Sequence, residues 1–184
     1  MRFCKLFLIP IAFSFIGAFI NIKSAYATGP DFIVDNDPIL SWQGGAYDNM
    51  TYYGGVSGSF YNDMRLSPSI SGSNAYYKWT YTVVNYGYTS GSLSLGVYLN
   101  NANFTDPYAE YIVENFSGGP ESSGTTLPVG HINQNTAPAG WTTISCTMTS
   151  YYDNNISSGF IQVRASSGSY KQLGADAIHP HFNY

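Results

Sequence analysis

Leu93-Ser94-Leu95-Gly96-Val97-Tyr98-Leu99 sets an aliphatic side chain at every second position and a small or polar one between. A strand turns successive side chains to opposite faces, so this segment has one face for a core and one face away from it. The same period recurs along the chain. Trp79, Tyr81 and Val83 alternate with Thr80, Thr82 and Val84. Ile144, Cys146 and Met148 alternate with Thr143, Ser145, Thr147 and Thr149, and Ile161, Val163 and Ala165 with Gln162 and Arg164. Turn residues punctuate these runs at Gly44-Gly45, Gly54-Gly55, Ser90-Gly91, Asp106-Pro107 and Gly118-Gly119-Pro120. No stretch keeps a helical period. Many short strands at this spacing predict an all-β chain, a two-sheet β-sandwich or jelly roll in a single domain. Ser117–Gly140 is the longest irregular stretch, with one short strand expected near Leu127–Ile132. Ala177–Tyr184 alternates too, and reads as a strand able to pair along an edge.

Residues 1–27 have the pattern of a secretory signal peptide: Arg2 and Lys5, an apolar run from Leu6 to Ile20, then Ala25-Tyr26-Ala27 with small residues at −3 and −1. The folded domain is then expected over 28–184, and the compartment is extracellular or periplasmic. That part of the chain keeps four basic residues against eleven acidic ones, a balance of −7. Such a surface disfavours nucleic acid and, after signal cleavage, an anionic membrane. Charged residues make up 10% of the chain, while there are 17 tyrosines. Sparse charge with many aromatic rings and hydroxyls suits a neutral glycan: sugar C–H faces stack on rings, and hydroxyls take up the polar contacts. Good strand formers alone give a similar composition.

Cys146 is the one cysteine after residue 27, so no internal disulfide forms there. It falls on an aliphatic strand face, as a structural thiol does. His179 and His181 share a strand face, but two imidazoles without a third ligand are not a metal site. No metal or other cofactor is expected. Asn49, Asn103, Asn115 and Asn155 each begin an N-x-S/T triplet.

Pro107–Phe116 (P-Y-A-E-Y-I-V-E-N-F) resembles the nucleophile strand of glycoside hydrolase family 11, the small jelly-roll xylanases, whose strand reads P-L-x-E-Y-Y-I-V-E-N-F. Further segments are similar to the family's in the same order. They are Trp42–Thr51, Gly72–Trp79, Val84–Tyr98, Cys146–Ile156 (strand and tip of the family's thumb), Phe160–Arg164 and Ile178–Tyr184, the last like its helix-region motif N-H-F-N-A-W. The resemblance implies Glu110 as nucleophile of a retaining hydrolysis. It implies Trp42, Asn74, Lys78, Tyr98 and Gln162 as residues along a xylan-like cleft. A retaining mechanism needs a second carboxyl group ~5–5.5 Å from the first. The strand that carries it in the family has no counterpart before Tyr184. Ser150 and Asn154 replace the thumb arginine and proline, and Ile112 replaces a tyrosine. Glu114, on the same strand as Glu110, stands ~13 Å away at about 3.3 Å per residue, too far for such a pair; Glu121, Asp153 and Asp176 are the remaining acids.

Three functions stay open: a diverged xylan hydrolase, a non-catalytic polysaccharide-binding sandwich, and a secreted adhesin or structural subunit. Trp42 and Trp79 are open between core and sugar platform. Oligomeric state is open as well.

Overall fold

The computed structural model describes residues 28–36, 43–68, 74–84, 90–115, 125–149, 156–165 and 171–183. The signal-peptide segment, Trp42, Glu121, Asp153 and the thumb-like tip at 150–155 lie outside the described residues.

Two antiparallel sheets carry the fold. The first has five strands: β2 (Gln43–Asp48), β5 (Tyr76–Val84), β10 (Ile156–Arg164), β7 (Ala109–Asn115) and β8 (Thr125–Ile132), side by side in that order. The second has four: β1 (Thr28–Asp31), β12 (Ile178–Asn183), β6 (Ser90–Leu99) and β9 (Gly140–Thr149). A small third sheet of β11 (Gly174–Ala175), β4 (Asp63–Leu66) and β3 (Thr51–Gly54) adds to these. Among the described residues the helical structure is one 3-10 turn, Phe60–Asn62. The chain is thus an all-β sandwich, as the alternation predicts.

The core is where the two inner faces meet. Leu93, Leu95, Val97 and Leu99 of β6 and Ile178 and Phe182 of β12 join one buried cluster with Tyr77, Trp79, Tyr111, Val113, Ile161 and Val163 of the five-stranded sheet. Burying such side chains supplies roughly 1.5–3 kcal/mol each, which is what holds the sheets face to face. Trp79 settles as a core residue at 1% exposure, its indole N–H donating to the Asp176 carbonyl at 3.0 Å. Gln134, fully buried, donates to the Tyr111 hydroxyl and the Gly174 carbonyl and accepts from Gly174 N–H. Cys146 faces inward opposite Leu93, half-buried, and burial pushes its thiol pKa up.

Two expectations are corrected. The segment resembling a helix-region motif forms strand β12, because Ile178, Pro180 and Phe182 keep period two and are buried while His179 and His181 are not. Nor is β12 an edge: it lies between β1 and β6. A proline is tolerated there because β1 pairs at Asp31↔His181 and the chain next bridges at Val34↔Ile178, leaving no ladder pair for Pro180 on that side. The missing tyrosine of the nucleophile-like strand leaves β7 regular against β10. The irregularity sits on β8, where Val129 is the extra residue between Tyr111↔Gly130 and Ile112↔Pro128.

Candidate functional site

The inward set of each strand fixes what faces out. On the five-stranded sheet, Tyr77, Trp79, Ile161, Val163, Tyr111 and Val113 point in, so Lys78, Gln162 and Glu110 point out. Cross-strand register then makes rows on that outer face. One row runs Tyr76, Arg164, Glu110, His131, and the next Lys78, Gln162, Ile112. Three residues implied by the family resemblance therefore share one face. Asn74 is exposed just before β5.

Glu110 lies between Arg164 and His131. The Arg164 Nε–H donates to its carboxylate from one side, and His131 Nε2 lies 3.9 Å away on the other. The Tyr108 ring stacks on His131 with centroids 3.9 Å apart. The Arg164 hydrogen bond holds the Glu110 carboxyl below its usual range. Lys78 Nζ sits over the Phe160 ring at 4.1 Å and 5.6 Å from that of Tyr76. Asp176 is 1% exposed and hydrogen-bonded beneath the 3-10 turn, away from this face. Among the described residues the ionisable neighbours of Glu110 are thus Arg164 and His131, with no second carboxyl group in contact.

Tyr98 stands elsewhere. The Leu93–Leu99 face of β6 packs inward, so Tyr98 projects from the outer face of the other sheet, on the opposite side of the sandwich. It does not share a cleft with Glu110, Lys78 and Gln162. Instead it belongs to an aromatic cluster. Its ring meets Trp141 edge-on at 5.2 Å and 84°, and Phe60 at 5.4 Å. Phe60 in turn contacts Trp141 at 5.5 Å and Tyr61 at 4.5 Å. His179 closes the group at 5.9 Å from Trp141. Such edge-to-face pairs are the favoured aromatic geometry. Trp141 nevertheless stays 42% exposed and Tyr61 65% exposed.

Two local features seat this cluster. Gly96 lies under Trp141: a Cβ there would come within 3.3 Å of Trp141 Cε3 and 3.2 Å of His179 Cβ. The bare backbone lets the indole lie this close to the sheet without either neighbour having to shift. The second is the turn that brings in Phe60 and Tyr61. Tyr61 has φ +48 and Asn62 φ +64, left-handed conformations that a bulky residue adopts only under constraint. The constraint is visible. Phe60 N–H donates to the Asp176 carboxylate at 3.0 and 3.2 Å, and Asn100 donates to Ser59 Oγ at 2.9 Å and to the Ser57 carbonyl at 3.3 Å. Burial pushes the Asp176 pKa up to about 8; the Phe60 amide works against this, while Asp35 and Asp63 add to it.

From the aromatic cluster, rows of small polar residues continue along the same face. They are His179, Gly96, Thr143; then His181, Ser94, Ser145; then Asn183, Ser92, Thr147. Among the described residues no three metal-ligating side chains are grouped as a site, the two imidazoles included. Tyr47 and Tyr52 are also exposed, but the Arg65 guanidinium lies 4.1 and 5.3 Å from their ring centres and covers part of that surface.

Trp141, Phe60 and Tyr61 carry no sequence motif. The available signal was the phase of β9: Trp141 falls with Thr143 and Ser145, opposite the aliphatic set.

No protein-family model matches the chain, and no curated protein does. Solved structures similar to it include a Paenibacillus xanthan lyase at 16% identity and TM-score 0.49, covering 83% of this chain and 13% of that one. Another, from work on carbohydrate-binding modules of the β-sandwich superfamily, has 10% identity and TM-score 0.48, over 77% of this chain and 55% of that one. A third is the K1 cleaved adhesin domain of Lys-gingipain from Porphyromonas gingivalis W83, at 12% identity and TM-score 0.48, over 85% and 98%. The chain thus spans about an eighth of the lyase and about half of the second structure. At these levels the likenesses carry no function with them.

Proposed function

We propose that this chain is a secreted, non-catalytic carbohydrate-binding β-sandwich that holds a neutral glycan on the outer face of its four-stranded sheet. One observation carries the reading. Phe60, Tyr61, Tyr98 and Trp141 form a continuous aromatic cluster that is left partly open to solvent and is seated by a glycine and a constrained turn. What sets this surface apart from the other exposed tyrosines is that its four rings contact one another beside hydroxyl-bearing strands. Sugar rings fit such a surface, with C–H faces on the aromatics and hydroxyls toward Thr, Ser and His. The hydrolase reading has less behind it, since Glu110 is engaged by Arg164 and no second carboxyl group contacts it among the described residues.

The test is retention of residues 28–184 on insoluble xylan, cellulose and mannan, together with reducing-sugar release from xylan. Wild-type protein is expected to be retained by at least one polymer without releasing sugar. Trp141→Ala should lose retention and Glu110→Gln should keep it. Sugar release that disappears in Glu110→Gln would restore the hydrolase; retention unaffected by Trp141→Ala would move the binding site elsewhere.

A further inference from the structure

We infer that the glycan is an extended, uncharged polysaccharide bound along its length, lying parallel to β6 from Trp141 toward Ser92 and Thr147. This rests on the binding reading above and adds the class of ligand and its direction.

The register carries the argument. Tyr98 pairs with Trp141, and successive outward rows follow every two residues as far as Ser92↔Thr147 and beyond. Each two-residue step is ~6.6 Å, so the face runs roughly 20 Å beyond the aromatic pair. That is longer than a single sugar ring. The Trp141 indole leans over Gly96, which belongs to the first of these rows, so the ring covers the start of the track.

The chemistry of the rows is uniform. Beyond the aromatics they are built of Ser, Thr, Asn, His and Gly96, and neither β6 nor β9 contributes an acid, a lysine or an arginine to them. Among the described residues, Asp31 of β1 is the acidic position in register with these rows, paired with His181. Short hydroxyl side chains meet sugar hydroxyls without the desolvation cost of a charge. A polymer carrying a carboxylate on each ring would find no lysine or arginine on β6 or β9, and would meet a chain whose residues 28–184 hold eleven acids against four bases. The surface thus fits a neutral polymer and disfavours a polyuronate.

The experiment uses residues 28–184 against soluble xylan, glucomannan, β-1,3-glucan and polygalacturonate, then a ladder of oligosaccharides from the polymer that binds, by titration calorimetry. Neutral polymer should bind and polygalacturonate should not. Affinity should rise roughly tenfold or more from disaccharide to hexasaccharide, as contacts accumulate along the track. Ser94→Arg, an obstruction halfway along an outward face, should cancel that rise and leave the disaccharide within about twofold. Thr147→Arg farther along should shorten the rise, and thermal melting checks that both variants fold. Equal affinity across the ladder, or obstruction variants that bind like wild type, would overturn the track while Trp141→Ala still abolishes binding. Tighter binding of polygalacturonate would overturn the neutral class. If none of the neutral polymers binds, the track and the carbohydrate reading fall together.

Discussion

On the five-stranded sheet the outward rows carry Lys78, Gln162, Arg164, Glu110 and His131; on the four-stranded sheet they carry Tyr98, Trp141, Thr143, Ser145 and Ser94. Both sets arise from the same period-two alternation over one shared core. They differ in what their side chains do with one another. Long charged groups reach across strands and satisfy each other: Arg164 on Glu110, and the Lys78 ammonium over Phe160. Hydroxyls on short stems do not fold over the sheet in this way, and the aromatics beside them are packed by their edges with area left open. The presence of candidate residues on a face therefore says less than whether their partners come from the protein itself.

Beneath the aromatic end lies the feature with the largest expected effect. Asp176 has a folded pKa of about 8 against the usual carboxylate value near 3.8 when unfolded. The native state then holds a proton that the unfolded chain has released over that interval. Its contribution to stability is complete below the unfolded pKa and is lost as pH rises through the folded one, at about 1.4 kcal/mol per pH unit. Urea unfolding at pH 5 and pH 7.5 should show this decline. Asp176→Asn keeps an acceptor for Phe60 N–H and should flatten the profile. A slope unchanged in that variant would place the titrating group elsewhere.

The sharpest contrast between the faces is Trp141→Ala against Lys78→Ala. Removing a central aromatic from a binding surface costs about 2 kcal/mol or more, near thirtyfold in affinity. Glycan titration should show that loss for Trp141 and none for Lys78. Equal losses would mean that the ligand touches both sheets.

Gly96→Ala probes the seat of the indole. The added methyl meets Trp141 and His179 at 3.2–3.3 Å, so both must shift by a few tenths of an ångström. Overpacking of this kind costs about 1 kcal/mol. Several-fold weaker glycan binding with a small drop in melting temperature is expected. Unchanged binding would show that the ring tolerates displacement.

The strands were legible in sequence because burial imposes period two directly: the inward residues of β6 and β10 are the ones the alternation marks, and the short strand expected at Leu127–Ile132 is β8. The C-terminal strand was legible as a strand but not as an interior one. Its neighbours are 80 residues or more away along the chain, and no local pattern encodes them. The candidate site was legible in part. Family-like motifs led to Glu110, Lys78 and Gln162, which do share a face. They also led to Tyr98, which the facing of β6 turns to the other side. Trp141, Phe60 and Tyr61 come from β9 and a 3-10 turn that meet only in three dimensions, so spacing along the chain could not join them.

The smallest expected effect tests the charged face on its own terms. Glu110 and Arg164 are cross-strand partners with half the arginine side chain exposed. An ion pair of this kind contributes about 0–1 kcal/mol, less at high salt. A double-mutant cycle of Glu110→Gln and Arg164→Gln should return a coupling of that size. Because the arginine holds the Glu110 carboxyl below its usual range, the contribution should be present above the ordinary carboxylate pKa and fade as pH falls through the folded value. The same cycle followed by glycan titration should show no change in affinity. Were the pair part of a working active site, removing Arg164 would instead release the Glu110 carboxylate from its partner and alter ligand affinity or sugar release. A coupling seen in melting but silent in binding therefore marks Glu110 as a sheet-bracing residue.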